Sequence, residues 1–188
     1  MVEIPYPLTT NRLVLRPFAT EDLEAYFAYQ SLPETAQYLY GEARSYAECM
    51  GRIAQYTQER FAGPGDWATF AVERIGVPGL VGELVLKWND GGKPEGGGGT
   101  PGRVGEIGWT LAPAARGLGF ATEAARAVLE LAFDQLGFIR VEARLDARNR
   151  ASAAICERLG MQFEGVLREN MYLKGEWTSE AIYAVVRN

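Results

Sequence analysis

Residues 104–122 read VGEIGWTLAPAARGLGFAT, and this stretch decides the fold. Its first part is β-prone and stops at Pro113, which predicts a strand over 104–111. Gly117 and Gly119 then lead into residues 121–136, where small and apolar side chains recur at the spacing of a buried helix face. A glycine turn that opens a helix leaves free N–H groups at the positive end of the helix dipole. The stretch therefore predicts a cradle for an anion such as a pyrophosphate.

Other nucleotide-binding loops fit these residues poorly. A dinucleotide-binding loop needs glycine or alanine at the last position of its Gly-x-Gly-x-x-Gly pattern, where this chain has Thr122. The Walker pattern needs Gly-Lys followed by Ser or Thr, which the sequence lacks. A plain glycine turn between a strand and a helix stays open as the alternative on these residues alone.

The rest of the chain predicts a mixed α and β domain. Strands are predicted over 13–18, 67–74, 80–86, 104–111, 140–145, 163–167 and 178–186, with a turn over 76–79. Helices are predicted over about 20–32, 45–61, 121–136 and 149–159, with N-caps at Thr20, Ser45 and Asn149 and a capping box between Ser45 and Glu48. Residues of about 89–103 are rich in glycine and predict a flexible loop, with a functional lid as the alternative. We expect one domain over 1–188.

Composition excludes several classes of protein. The chain has 188 residues, 47% of them hydrophobic, which fits a folded globular domain rather than a disordered or fibrous chain. Its net charge of -5 disfavours a nucleic-acid binder, whose phosphate-contacting face is basic. The absence of histidine excludes His-based triads, a His general base and His-ligated zinc. Cys49 and Cys156 lack the spacing of a zinc ribbon or a redox dithiol, so we expect no metal.

The N-terminal residues, Met1 to Pro7, have neither a basic start nor an apolar run. No stretch reaches the roughly 18 apolar residues that a membrane-spanning helix needs. We therefore expect a cytoplasmic protein with reduced thiols and no membrane partner.

Five motifs, in order along the chain, resemble the GNAT superfamily of N-acetyltransferases. Arg116-x-x-Gly119-x-Ala121 is similar to the family's acyl-CoA loop, Q/R-x-x-G-x-G/A. Glu106-Ile107-Gly108-Trp109 resembles its central strand, and Asn149-x-x-Ser152 with Leu159-Gly160-Met161 resembles its next helix. Thr10-x-Arg12-Leu13-x-Leu15-Arg16-Pro17 and Glu164-Gly165-x-x-Arg168 resemble the RimJ/RimL-like branch, which acetylates the N-termini of ribosomal proteins.

The resemblance implies a fold and a cosubstrate. The fold is α+β: a twisted, mostly antiparallel sheet, flanked by helices, whose central parallel strands (104–111 and 140–145) splay apart. Acetyl-CoA would lie in that gap, its pantetheine arm along the first strand's end and its pyrophosphate on the loop amides. The cofactor-binding residues that the resemblance implies are Thr110, Leu111, Ala112, Arg116, Gly117, Leu118, Gly119, Phe120, Ala121, Thr122, Asn149 and Ser152.

The implied reaction is direct attack of an amine on the thioester, without an acyl-enzyme. It needs a neutral amine, oxyanion donors and a proton for the leaving thiolate. Glu106 is the candidate base, and an ordinary exposed strand position is its alternative. Ser152 is the candidate general acid, and the alternative is a helix serine without a catalytic role. Many family members carry a tyrosine where this chain has Cys156, and this difference shifts the acid role towards Ser152. Tyr172 is a candidate for the amine pocket, with hairpin packing as its alternative.

The expected partners are acetyl-CoA and a primary amine, either a protein N-terminus or a small molecule. The acidic surface mildly favours a cationic acceptor. Dimers are common in the family, which leaves a homodimer open. A non-catalytic acyl-CoA-binding module, or a partner-binding protein with a vestigial cleft, are the alternative functions.

Overall fold

A computed structural model describes residues 3–89 and 103–187, which build one eight-stranded sheet. The strands are β1 (Leu8–Thr9), β2 (Leu13–Pro17), β3 (Trp67–Arg74), β4 (Val77–Asn89), β5 (Arg103–Leu111), β6 (Phe138–Asp146), β7 (Gln162–Leu173) and β8 (Glu176–Val186). The α-helices are α1 (Leu23–Gln30), α2 (Pro33–Ala36), α3 (Tyr46–Tyr56), α4 (Phe120–Glu130) and α5 (Arg150–Arg158). The strand order is β1-β2-β3-β4-β5-β6-β8-β7. The predicted α+β fold with a mostly antiparallel sheet is confirmed.

The parallel pair, β5 and β6, is open at one end, as the resemblance implies. The two strands pair from Arg103 opposite Phe138 to Glu106 opposite Glu142, and no pairing continues along their remaining residues. Beyond that point β5 stays paired with β4 as far as Leu111, and β6 stays paired with β8 as far as Asp146. Each strand therefore keeps its outer neighbour, and a cleft opens between the two.

Gly105 accounts for the close approach of the strands just before they separate. A Cβ atom placed on Gly105 would lie 2.7 Å from the ring of Phe138, which is shorter than a van der Waals contact. Phe138 is fully buried, stacks on Phe61 and packs at a tilt against Trp88. A side chain at position 105 would thus force the parallel pair apart at its closed end.

Helices cover both faces of the sheet. Along β3, Phe70 and Val72 belong to the main core under α4, whereas Ala71 packs with residues of α1 and α3. Because alternate residues of a strand point to opposite faces, α4 covers one face of the sheet and α1 with α3 covers the other. The apolar stripe predicted on α4 is buried, from Ala121 to Leu129.

Several local predictions are confirmed. Ser45 caps α3, since its Oγ accepts from the Glu48 N–H at 3.4 Å and a Glu48 carboxylate oxygen accepts from the Ser45 N–H at 2.8 Å. Asn149 caps α5, its Oδ1 accepting from the Ser152 N–H at 3.0 Å. Gly137 and Gly160 follow their helices with left-handed backbones, as stop signals do.

Other local predictions are wrong in detail. Thr20 does not cap its helix; a carboxylate oxygen of Asp22 instead accepts from the Ala19 N–H at 2.8 Å, and residues 20–22 form a 3-10 turn. The helix predicted over 45–61 ends at Tyr56, and that over 121–136 changes at Leu131 into a π-helical turn that runs to Gln135. The turn predicted over 76–79 is shorter than predicted, because β4 already begins at Val77.

The glycine-rich segment predicted over about 89–103 lies outside the described residues, except for its ends in β4 and β5. Among residues 3–89 and 103–187, none of the helices combines the length and the apolar character that crossing a bilayer requires. The same residues contain no group of three or more acidic or cysteine side chains placed to hold a metal ion.

Candidate active site

The start of α4 is an open anion cradle. Gly117 and Gly119 both adopt left-handed backbones, with φ of 75° and 81°, which glycine reaches without strain. The Glu123 N–H makes the first bond of the helix, to the Gly119 carbonyl at 3.1 Å. The N–H groups of residues 120–122 therefore have no acceptor within the helix, and no described side chain caps this end. These are the donors that the sequence predicted for a pyrophosphate.

The N-terminal segment holds this cradle in place. Glu123 of α4 accepts from the Thr10 hydroxyl at 2.6 Å, the Arg12 N–H at 2.9 Å and the Arg12 Nε at 2.6 Å. Arg12 also donates to the Leu118 carbonyl at 3.0 Å and lies over the Phe120 ring, 4.7 Å from its centre. The sequence motif drew attention to Thr10 and Arg12, but it did not show that they bind the loop.

A cavity of about 600 Å³ lies on this cradle. It contains ten of the cofactor-binding residues implied by the sequence: Thr110, Leu111, Arg116, Gly117, Gly119, Phe120, Ala121, Thr122, Asn149 and Ser152. Ala112 and Leu118 do not line it. The Ala112 N–H donates to the Val81 carbonyl at 2.9 Å, and the Leu118 side chain is 51% exposed. Arg116 lies at its edge, with Nε donating to the Leu111 carbonyl at 3.2 Å.

A second cavity of about 810 Å³ lies beside the first, lined by residues of α3 and of the segment 38–44 before it. Glu106 lines it, together with residues of β4, β6 and β8. The two cavities have these lining residues in common: Tyr38, Leu39, Trp109, Thr110, Asn149 and Ser152. The compartments thus meet where β5 and β6 separate, which gives two substrates one point of contact.

Glu106 has the environment of a proton acceptor. It forms the last pair with β6, at the apex of the cleft, and is half-buried. Burial raises the pKa of its carboxyl above the ordinary value, against the opposing charges of Lys87 and Arg144. A carboxyl whose pKa is raised in this way lies closer to the pKa range that suits a general base.

Ser152 lies in the first turn of α5, with its side chain lining both cavities. Its Oγ makes no hydrogen bond to any described residue, so the hydroxyl is free to face a ligand. Cys156, one turn further along α5, is buried, and burial raises the pKa of its thiol to about 12. Such a thiol is a poor nucleophile.

Tyr172 lines neither of the two cavities. It is 61% exposed, and its ring packs edge-on against Trp177 with the ring centres 5.4 Å apart. Leu173 and Thr178 of the same hairpin line the larger cavity, and a place for Tyr172 in the amine pocket stays a prediction.

Sequence reasoning missed Glu83, a carboxylate buried in the wall of the larger cavity. Its Oε1 accepts from Gln30 Nε2 of α1 at 2.7 Å. The Gln30 oxygen in turn accepts from Arg44 at 2.6 Å, and Arg44 also donates to the Tyr26 hydroxyl at 2.9 Å. The available signal was an acidic residue in the middle of the apolar run from Leu80 to Leu86.

Comparisons with known proteins agree with this geometry. Residues 12–162 match the family model described as an acetyltransferase (GNAT) domain. The uncharacterized N-acetyltransferase YoaA of Bacillus subtilis is 31% identical over 96% of both chains. A GNAT-family acetyltransferase from Bacillus anthracis superposes with a TM-score of 0.80 at 26% identity, covering 96% of this chain and 98% of its own. The RimL ribosomal L7/L12 alpha-N-protein acetyltransferase, solved with coenzyme A, has a TM-score of 0.74 at 17% identity over 96% and 97%, which shows a shared fold.

Proposed function

This chain belongs to the GNAT acetyltransferase family, and we propose that it transfers the acetyl group of acetyl-CoA to a primary amine by direct attack in a ternary complex. One observation carries the proposal: two cavities, one built on an anion cradle and one lined by carboxylates, meet at the open end of β5 and β6. Two substrates held on either side of that opening would have their reacting groups adjacent, as direct transfer requires.

The residues of the smaller cavity suit coenzyme A. The free N–H groups at the start of α4 provide donors for the pyrophosphate, and the left-handed Gly119 allows a close approach of ligand to backbone. The inner edge of β5, unpaired beyond Glu106, offers peptide groups to the amides of the pantetheine arm. We assign Thr110 and Leu111 to that contact and Asn149 to the side facing α5.

The chemistry assigns one role to each of two side chains. Glu106 takes a proton from the ammonium form of the acceptor, which leaves a neutral amine. The amine nitrogen then bonds to the acetyl carbonyl carbon, and the carbon–sulfur bond breaks as the tetrahedral intermediate collapses. The Ser152 hydroxyl gives its proton to the departing thiolate and regains one, through water, from the nitrogen, which loses a proton as it becomes the amide. The products are an N-acetylated amine and free CoA.

The acceptor itself is a further part of the proposal. The RimL protein named above acts on a ribosomal protein N-terminus, and this chain resembles its branch through Arg12, Arg16 and Arg168. A protein N-terminus and a small amine both fit a cavity of about 810 Å³ that opens to solvent. The ribosomal-protein branch, the cytoplasmic location and the homodimer stay predictions of the sequence.

The test is turnover with acetyl-CoA against a mixed library of N-terminal peptides and small amines, read by mass spectrometry and by thiol release. We expect N-acetylated products and stoichiometric free CoA. Calorimetric titration with CoA in parallel reports binding alone. Tight CoA binding without turnover of any amine would refute catalysis in favour of a binding module.

A further inference from the structure

Two carboxylates lie side by side at the apex of the cleft. Glu106 of β5 is the register partner of Glu142 of β6 in the last residue pair before the strands separate. Register partners point to the same face of a sheet, and their strands lie about 4.8 Å apart. Glu142 is buried and Glu106 is half-buried. Two like charges in such a place disfavour each other's ionised form, which is the form that a general base needs.

Two arginines on the same strand bind Glu142. Arg140 and Arg144 lie two residues before and two residues after it, so all three side chains share one face of β6. Arg144 Nε donates to one Glu142 oxygen at 2.9 Å, and Arg140 donates to the other at 3.1 Å. Arg140 also donates twice to Glu164 of β7, at 2.6 Å each. Glu142 thus fixes Arg144 by one contact, whereas Arg140 is held from two strands.

Arg144 is the arginine of this pair that lines the larger cavity. Its side chain is 35% exposed, and its two terminal nitrogens bind no acceptor among the described residues. One strand spacing and two residue steps separate its Cα from that of Glu106, a distance of roughly 8 Å. A long arginine side chain spans much of that distance, and the charge of Arg144 acts on the Glu106 carboxyl.

The other charges around Glu106 come from several elements. Lys87 of β4 is its register partner on the opposite edge of β5, and its ammonium lies over the Trp67 ring. Glu180 of β8 is buried, and its carboxylate accepts from the Tyr40 hydroxyl at 2.8 Å. The groups that act on Glu106 are therefore Lys87, Glu142, Arg144, Glu180 and Tyr40. From α3, the titratable side chains that line the same cavity are Glu48, Arg52 and Tyr56.

We propose that Arg144, held by Glu142 at the apex of the cleft, is a positioning residue that keeps Glu106 ionised and ready to take the proton of the acceptor. This inference rests on the proposed acetyl transfer with Glu106 as its base, and it adds a residue to that reaction. Burial and the carboxylates Glu142 and Glu180 raise the pKa of the Glu106 carboxyl, and Arg144 limits the rise. Without Arg144, Lys87 alone would oppose them.

The test is the pH profile of kcat/KM with one acceptor amine. Its acidic limb reports the titration of the base in the free enzyme, and Glu106→Gln should remove that limb. Arg144→Gln takes away a positive charge, so the limb should move upward by about one pH unit. Below the limb kcat/KM then falls about tenfold, and above it kcat/KM stays within about threefold of the wild type. The titration of the acceptor itself is common to all variants and cancels.

Matched variants separate the charge of Arg144 from its place in the structure. Arg144→Lys retains the charge and should restore most of the limb position. Arg140→Gln removes a charge from the other oxygen of Glu142, but Arg140 lines neither cavity, so the limb should move by less than about 0.3 pH unit. Arg144→Met is a second neutral variant in case Arg144→Gln does not fold.

An acidic limb that stays in place in the neutral variants would overturn the inference while leaving acetyl transfer intact. It would also be overturned if Arg144→Lys behaved like Arg144→Gln, or if Arg140→Gln moved the limb as far. A limb that persists in Glu106→Gln would remove both the base and the residue that serves it.

If no amine at all is acetylated, the proposed function fails, and NMR of the chain labelled at its glutamate carboxyl carbons still tests Arg144. The Glu106 signal is the one that Glu106→Gln lacks. In Arg144→Gln that signal should titrate at a higher pH than in the wild type and in Arg140→Gln, and an unchanged titration contradicts the inference.

Discussion

The buried carboxyl of Glu83 leads to a prediction about the stability of the fold, which can be tested without a substrate. Burial raises the pKa of its carboxyl from an ordinary value of 4.5 to about 7. A group whose pKa is higher in the folded chain than in the unfolded chain binds more protons when folded. It therefore stabilises the fold below about pH 4.5, and this contribution is lost as the pH rises through about 7.

The magnitude follows from the size of the pKa change. A change from 4.5 to about 7 corresponds to about 3 kcal/mol between the two protonation states. Between pH 5 and pH 8 the linkage relation gives a loss of about 2 to 3 kcal/mol in the free energy of unfolding. Glu83→Gln is neutral at every pH, and its side-chain oxygen retains the bond from Gln30, so the variant lacks this loss.

The assay is urea unfolding at pH 5 and pH 8 for the wild type, Glu83→Gln and Glu42→Gln. The stability difference between the wild type and Glu83→Gln should shift by about 2 to 3 kcal/mol in favour of the variant at pH 8. Every other titrating group is common to both proteins and cancels in the difference. A shift below about 1 kcal/mol, or the same shift in Glu42→Gln, would refute the conclusion that Glu83 is a buried carboxyl with a raised pKa.

Three further variants test the cosubstrate site and the reaction. Gly119→Glu is expected to abolish CoA binding in calorimetry, because it places an anion at the cradle and strains a left-handed backbone; unchanged affinity would contradict the loop assignment. Ser152→Ala is expected to lower kcat by about tenfold or more with the CoA dissociation constant nearly unchanged, and a large rise in that constant would make Ser152 a binding residue instead. Lysine at position 12 lacks the guanidinium that donates to both the Glu123 carboxylate and the Leu118 carbonyl. Arg12→Lys should therefore raise the CoA dissociation constant about fivefold or more. A change confined to kcat would argue against a positioning role.

The sequence predicted well those features whose cause is local. The capping box of Ser45 and Glu48, the Asn149 cap and the glycine loop each depend on residues a few positions apart, and all three are present. The alternation of buried and exposed residues identified the strands. The open parallel pair came from the resemblance, since no local pattern specifies where two strands part.

The errors arise where a contact that the local sequence pattern does not specify intervenes. Asp22 displaces the predicted cap at Thr20, because its carboxylate both accepts from the Ala19 N–H and forms a bidentate pair with Arg16. β7 extends well beyond the predicted strand, because its irregular pairing with β8 continues to Leu173. The contacts of Glu83 with Gln30 and Arg44 join segments far apart in the chain, and only the folded structure brings them together.

The opening between β5 and β6 is a consequence of how each strand is paired on its other side. A strand presents alternate N–H and C=O groups to its two neighbours, so residues 107–111, bonded to β4, still have backbone groups directed at the cleft. β6 likewise keeps backbone groups directed at the cleft, because its other edge is paired with β8. Backbone groups left unpaired inside a protein are unfavourable, and an extended ligand with amide groups satisfies them as a further strand would. The same open pair of strands therefore accounts for both the proposed cosubstrate site and the contact between the two cavities.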